Sequence, residues 1–409
     1  MSNSDSIIFT PAKIGPLTLR NRTIRSAAFE NMCAGHRPTK MLADYHLSVS
    51  RGGVGMTTIA YASVNRSGLS FDNQLWMRPE IVGELRRLTD AIHATGAKAS
   101  IQLGHCGNMS HRSTAGRMPI SASSGFNMYS PTFVHGMSAD EINEVARDFG
   151  QAVRLSIDAG FDCVEIHAGH GYLISQFLSP YTNHRRDRFG GCLDNRMTFM
   201  RMCMEEVMQA ARGQVAVVAK TNMRDGFKGG NGLEEGIAIA QELERLGCDA
   251  LVLSGGFVSK APMYVMRGQM PIRTLTGYMD CWWLKWSVRM FGSMLIKTEP
   301  YHDLYFLDDA LETRRNVALP LIYVGGCVSR AGIEKVLNSG FEAVQMARAL
   351  IVKPDFVNRM RQGEENCGCD HVNYCIGRMY TLEMSCHKNR NDIPPCMLRE
   401  IEKIKQRNG

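Results

Sequence analysis

Short apolar runs recur along the chain, and each is followed by a stretch of helical period. Thr23–Ala28, Val54–Tyr61, Ala97–Leu103, Cys163–His167, Val215–Thr221, Ala250–Ser254, Leu321–Val324 and Ala343–Met346 read as strands. Pro79–Thr95, Ala139–Ala159, Arg196–Ala211, Leu233–Leu246 and Ala331–Ser339 read as helices between them. Gly96, Gly160, Gly247 and Gly340 stand just past a last turn, where a left-handed residue ends a helix before a short loop. Strands alternating with helices imply βαβ units and a parallel sheet. Eight such strands predict an α/β fold closed as a (β/α)8 barrel rather than an open sheet. A doubly wound nucleotide fold would place Gly-x-Gly-x-x-Gly after an early strand. Gly52 and Gly53 precede a strand instead, and Gly55 lies at its start.

Two regions break the repeat, and the barrel is assigned to residues 1–363 around one of them. Residues 257–317 insert between strands six and seven, and residues 364–409 form a polar, Cys-rich tail. Helical winding of the insertion puts Trp283, Leu284, Val288, Met290, Phe291, Met294 and Leu295 on one arc. Lys285, Arg289 and Lys297 fall opposite, with Trp282 and Trp286 beside them. Three readings stand: a helix packed on the barrel, a membrane-surface helix with Trp and cations at the interface, and a substrate lid. The lid is the working expectation, because the segment follows strand six at the end where barrels do chemistry. Its apolar character suggests a bulky substrate such as a steroid or fatty enoate.

Composition narrows the class. The 409 residues are 44% hydrophobic and 21% charged, ordinary for a large-cored globular chain. A net charge of +7 is mild and not gathered in one arm, and no basic, aromatic-interleaved element argues for nucleic acid. The expected partner is a small molecule, and a homo-oligomer is compatible with the sequence. With no long apolar run and no basic n-region at Met1, a cytoplasmic location is expected. The thirteen cysteines then read as free thiols or metal ligands rather than disulfides.

In such a barrel, chemistry sits at the C-terminal strand ends. Strand four ends in His167-Ala-Gly-His170-Gly-Tyr172. Two imidazoles there can donate to one substrate oxygen, and a phenol can deliver a proton; a zinc site would need a further ligand from another strand. Gln102 ends strand three. Lys220 in strand five points either into the mouth, beside a bound anion, or outward, where it would snorkel. Gly325 and Gly326 after strand seven and Arg348 after strand eight suit a phosphate: backbone N–H groups approach it and the guanidinium neutralises it.

Longer motifs carry a family resemblance over about residues 7–363. The run from Ile166 through His167, His170 and Tyr172 to Arg188-Phe-Gly-Gly191, then Asp194-Asn-Arg196, resembles the signature of the old yellow enzyme family. Phe9-Thr-Pro to Arg22 resembles its N-terminus, and Gln102-Leu-Gly-His-Cys-Gly107 resembles its Gln-Leu-x-His-Ala-Gly. The resemblance extends to the barrel of 2,4-dienoyl-CoA reductase and the bile-acid enoate reductases. It implies FMN, with NAD(P)H as reductant in a ping-pong cycle that reduces an activated C=C bond. It assigns Gln102 to the flavin pyrimidine edge, Lys220 to the place of an Arg beside N1 and O2, and Ala27 and Ala60 to the ring through backbone groups. Gly325, Gly326, Ala347 and Arg348 take the phosphate. His167 and His170 hold the substrate carbonyl, and Tyr172 protonates its α-carbon. The departures are Phe29 where relatives have Thr or Cys, Asn108 for an Arg, and Ala347 for a Gly.

Cluster-bearing relatives carry four cysteines in the tail. Here Cys369-Asp-His-Val372-Asn-Tyr-Cys375, with Cys386, has Val372 at the second position, and Cys367 is an awkward substitute. A [4Fe-4S] cluster and a cluster-free tail both stay open. Two rival functions also stay open: an FMN-dependent amine or alcohol dehydrogenase, and a non-enzymatic flavin electron carrier or sensor.

Overall fold

The computed structural model describes residues 6–127 and 131–408; the chain start, Met1–Asp5, lies outside them. Eight parallel strands close into a barrel: β1 (Thr23–Arg25), β2 (Met56–Ser63), β3 (Lys98–Gly104), β4 (Cys163–His167), β5 (Ala216–Asn222), β6 (Ala250–Ser254), β7 (Leu321–Val324) and β8 (Ala343–Met346). The barrel shuts where Met346 of β8 lies opposite Arg25 of β1. β1 stops three residues before the apolar run does. The Arg25 guanidinium turns back to donate to the Thr58 and Ala28 carbonyls, at 2.6 and 3.0 Å, and this bends the chain away from the ladder.

An antiparallel hairpin, Ala12–Ile14 with Leu17–Leu19, seals the N-terminal end of the barrel. Ile14, Leu17 and Leu19 join Ile24, Met56, Val218, Val252 and Ile322 in one buried cluster. Apolar burial there leaves the opposite end as the one that can hold polar side chains. The helices expected from the sequence are present, and the longest, Ala139–Asp158, starts at a Ser138–Glu141 capping box. Between β2 and β3 the register shifts from Ile59 to Ala62. This bulge leaves Ala60 and Tyr61 off the ladder at the strand mouth, a usual way to re-aim a side chain beside a site.

The insertion leaves β6 at Phe257, which pairs with His170, and its outer part is closed by a Gly268–Glu299 bridge. Within it, Trp282–Leu295 is a helix, as the winding predicts, but the apolar arc is not its buried face. The helix rests on Ile272–Gly277, where Gly292 comes close to Ile272. Trp283, Met290, Phe291, Met294 and Leu295 face solvent together with Trp282 and Trp286. A closed lid would bury this face, so the structure does not place the helix as one. Among the described residues, no helix is long and apolar enough to cross a membrane.

The tail is stitched to the barrel: Met384 N–H donates to the Glu30 carbonyl, Asn31 to the Leu382 carbonyl, and Arg348 to Asn373. Val372, at the position of the missing cysteine, is buried with Tyr374, Ile393, Met397, Ile401 and Ile404. Among the described residues no His, Cys, Asp or Glu group is arranged to hold a metal ion. Val372 puts an isopropyl group where cluster-bearing relatives have a cysteine, and Cys367, Cys369, Cys375 and Cys386 are free thiols.

Candidate active site

The C-terminal mouth of the barrel collects nearly all the polar residues singled out from sequence. β4 delivers His167, and the chain then turns sharply through His170 (φ 59°) and Gly171 (φ 79°). A side chain at Gly171 would lie 2.5 Å from the Phe257 ring, so only glycine fits. His170 is held in its left-handed conformation from two neighbouring strands. Asn222 at the end of β5 accepts its N–H at 3.0 Å, and Ser254 at the end of β6 meets its Nε2 at 2.7 Å. The ring is therefore fixed with Nδ1 as the edge it can offer. His167 is buried, and its Nδ1 has no hydrogen-bond partner.

The two imidazole rings are 5.1 Å apart, nearly perpendicular, and the Tyr172 ring lies 4.3 Å from His167. Burial, with Lys220 nearby, pushes His170 down to about 3; burial and then His170 and Lys220 also push His167 well down. Both are neutral at pH 7, so either can offer an N–H without carrying a charge. Burial raises the Tyr172 phenol, and Cys106 and Tyr380 add to the shift, so it keeps its proton at every working pH.

This burial sets a pH dependence of stability. An unfolded imidazole titrates near 6.5, and His170 titrates at about 3 in the fold. Between those values the unfolded chain binds more protons, so stability falls as pH drops from about 6.5 towards about 3 and is flat above it. Urea midpoints measured at pH 7.5, 6 and 5 should decline, and His170→Asn should flatten part of the decline. A midpoint that does not move would show that the imidazoles are not buried neutral.

Below these rings lies a polar girdle that sequence reasoning located only in part. Lys220 points inward, 2% exposed, with its Nζ 2.8 Å from Glu165. Glu165 also accepts from Gln102 and from Gln345, each at 2.6 Å, and Ser26 donates to Gln345 at 3.0 Å. Gln102 thus spends its amide N–H on Glu165 and keeps its carbonyl for a ring N–H. Burial lowers Lys220, and Glu165 opposes the shift. Ala27 is half-buried just past β1. The Ala60 N–H donates to the Glu30 carboxylate, which also pairs with Arg25 at 2.6 Å, so its carbonyl is what remains toward a ring.

Glu165, Glu30 and Tyr61 were not identified from sequence. Tyr61, aimed by the bulge, sits edge-on to Tyr172 at 5.0 Å and bonds Ser70 at 2.7 Å.

The residues expected at a phosphate lie after β7 and β8. Gly325 (φ 133°) and Gly326 (φ 72°) follow β7, and a side chain at Gly326 would meet the Leu304 amide at 2.5 Å. Ala347 leads into a helix that starts at Arg348, whose guanidinium donates to Asn373 at 3.0 Å and lies 5.3 Å from the Tyr301 ring. A glycine turn, an adjacent guanidinium, an inward lysine and an amide edge in one mouth fit a flavin mononucleotide. Arg348→Ala removes a charge-assisted contact of about 1.5–3 kcal/mol and should weaken FMN binding about 10–100-fold. Fluorescence titration of the apoprotein measures this, and an unchanged affinity would place the phosphate elsewhere.

The profile of the NADH:flavin oxidoreductase / NADH oxidase family matches residues 7–275. The chain belongs to that family. A 4,4'-dithiodibutanoate disulfide reductase of Rhodococcus erythropolis is 38% identical over 383 residues, spanning 91% of this chain and 93% of its own length. An NADPH dehydrogenase of Bacillus subtilis is 34% identical over 267 residues, 64% of this chain and 77% of its own. Among solved structures, a 2-naphthoyl-CoA reductase complex has a TM-score of 0.80 at 21% identity, over 97% of this chain and 58% of that one. An old yellow enzyme homologue from Zymomonas mobilis has a TM-score of 0.71 at 22% identity, over 95% and 99%. At those identities the structures establish the fold. The chain is an oxidoreductase of the old yellow enzyme family, with FMN as cofactor and NAD(P)H as reductant.

Proposed function

We propose that the chain reduces the C=C bond of an α,β-unsaturated carbonyl compound. The observation that carries this reading is the convergence of two neutral imidazoles, one with an orphaned nitrogen, and a protonated phenol at the mouth of β4. FMN, when bound and reduced by NAD(P)H, supplies the hydride for the β-carbon. His167 and His170 hold the carbonyl oxygen by N–H donation and draw electron density from the alkene. Neutral donors suit this task, because they stabilise a developing enolate without losing a proton to it. Tyr172 then gives its proton to the α-carbon. Lys220 and Gln102 hold the pyrimidine edge, and Glu165 orients both. Lys220 would set a cation beside that edge of the cofactor, and its pairing with Glu165 would moderate the charge.

A second reading is disulfide reduction, favoured by the 38% identity to the Rhodococcus reductase over nearly both whole chains. In it a disulfide takes two electrons and two protons and leaves as two thiols, and Tyr172 would protonate one departing thiolate. Cys106, beside Tyr61 at the mouth, is no nucleophile for a mixed disulfide. Burial pushes its thiol up to about 12.

Steady-state NADPH oxidation with 2-cyclohexenone and, separately, with 4,4'-dithiodibutanoate tests the choice. Turnover with the enone at a kcat/KM above that for the disulfide supports the proposal. Turnover with the disulfide alone would replace it.

A further inference from the structure

Seven of the thirteen exposed large apolar side chains among the described residues lie on one helix. Trp282, Trp283, Trp286, Met290, Phe291, Met294 and Leu295 are between 46% and 72% exposed. The helix is anchored by its other side, where Gly292 lets it approach Ile272 closely. It sits in an excursion whose ends meet at the Gly268–Glu299 bridge, so it projects without taking part in the barrel. A contiguous face of this size on a water-soluble body marks a surface made to be covered.

The charges decide what covers it. From Cys281 to Thr298 the chain carries Lys285, Arg289 and Lys297 and no carboxylate. Lys285 and Arg289 lie along the flank, bonded to the Gly277 carbonyl and the Thr276 hydroxyl, neither of which neutralises them. Arg273 on the supporting helix and Arg399 on the C-terminal helix are exposed nearby; the two helices are tied by Glu400, which accepts from the Arg273 and Thr274 amides. In a twofold contact between two copies, this patch would meet itself and set cation against cation. Tryptophans with an apolar row and flanking cations instead match the layering of a bilayer surface, with rings at the headgroup level and anionic phosphates beside the cations.

We infer that the Trp282–Leu295 helix docks the protein peripherally on an anionic lipid surface. The rings and the Met/Phe/Leu row enter the headgroup boundary, and Lys285, Arg289 and Lys297 meet the phosphates. The catalytic mouth, from which the insertion springs, is thereby held close to a source of apolar substrates. This inference does not depend on which substrate is reduced.

Three of the chain's four tryptophans lie on the helix, so intrinsic fluorescence reports directly on it. The FMN-loaded protein is mixed with vesicles of phosphatidylcholine plus phosphatidylglycerol, and with vesicles of phosphatidylcholine alone. The expected result is cosedimentation with the mixed vesicles and a blue-shifted tryptophan emission, both weakened by salt. The triple variant Trp282→Ser, Trp283→Ser, Trp286→Ser should lose about 10²-fold in partition, in proportion to the apolar area withdrawn, while its NADPH turnover in solution is unchanged. Wild-type protein that stays in the supernatant with both vesicles would overturn the inference. So would equal binding by the triple variant, or a wild-type dimer in sedimentation equilibrium that the variant cannot form, which would make a second copy the cover.

Discussion

Tyr172→Phe is expected to slow the oxidative half-reaction about 10²–10⁴-fold and to leave reduction of the flavin by NADPH intact. The loss corresponds to about 3–5 kcal/mol of barrier, the usual share of a positioned general acid. The asymmetry follows from what the hydroxyl does. Burial keeps it protonated, and the reductive step has no carbon to protonate. Anaerobic stopped-flow separates the halves: NADPH bleaches the flavin at the wild-type rate, and the enone restores the colour slowly. Equal rates in both halves would show that water or another group is the acid.

The second large effect is on stability. Glu165→Leu removes the shared acceptor of Lys220, Gln102 and Gln345 and leaves a cation at 2% exposure without a counter-charge. Breaking a buried pair from one side costs about 3–5 kcal/mol, whereas replacing both charges is often close to neutral. The denaturant midpoint of Glu165→Leu should therefore fall sharply, and adding Lys220→Met should recover most of the loss. A single variant with the small cost typical of surface substitutions, or a double variant that loses as much as the single, would show that Glu165 does not carry the girdle.

The barrel was legible because its strands are apolar runs with sharp ends. β4, β6, β7 and β8 coincide with those runs residue for residue. The C-terminal end of the barrel was legible because His167 ends β4, Lys220 stands two residues before the end of β5 and Arg348 follows β8. What sequence could not show was direction. In a strand buried on both faces, alternation does not tell inside from outside, so Lys220 pointed either way until the register was known. The missed signal was Glu165. A carboxylate in Cys163-Val-Glu-Ile-His167 must be paired, and it lies two residues before His167 on the same side of the strand, facing the barrel interior. Tyr61 was hidden by the bulge, which breaks the parity that a strand reading assumes. The Trp helix was found as a helix, but its buried face is set by the closeness of Gly292 to Ile272, a contact that no period encodes. Motif gaps were more informative: Val372 in place of a cysteine anticipates a tail packed by its own apolar cluster.

The central claim is a hydride delivered to carbon and a proton from Tyr172 at the neighbouring carbon. The most direct test runs the reaction in ordinary water with NADPH deuterated at the transferred position and locates the label in the saturated product by NMR. The account predicts deuterium at the β-carbon of the enone and none at the α-carbon, with the Tyr172→Phe variant giving the same placement more slowly. Deuterium at the α-carbon, or an enone left unreduced while NADPH is consumed, would contradict it.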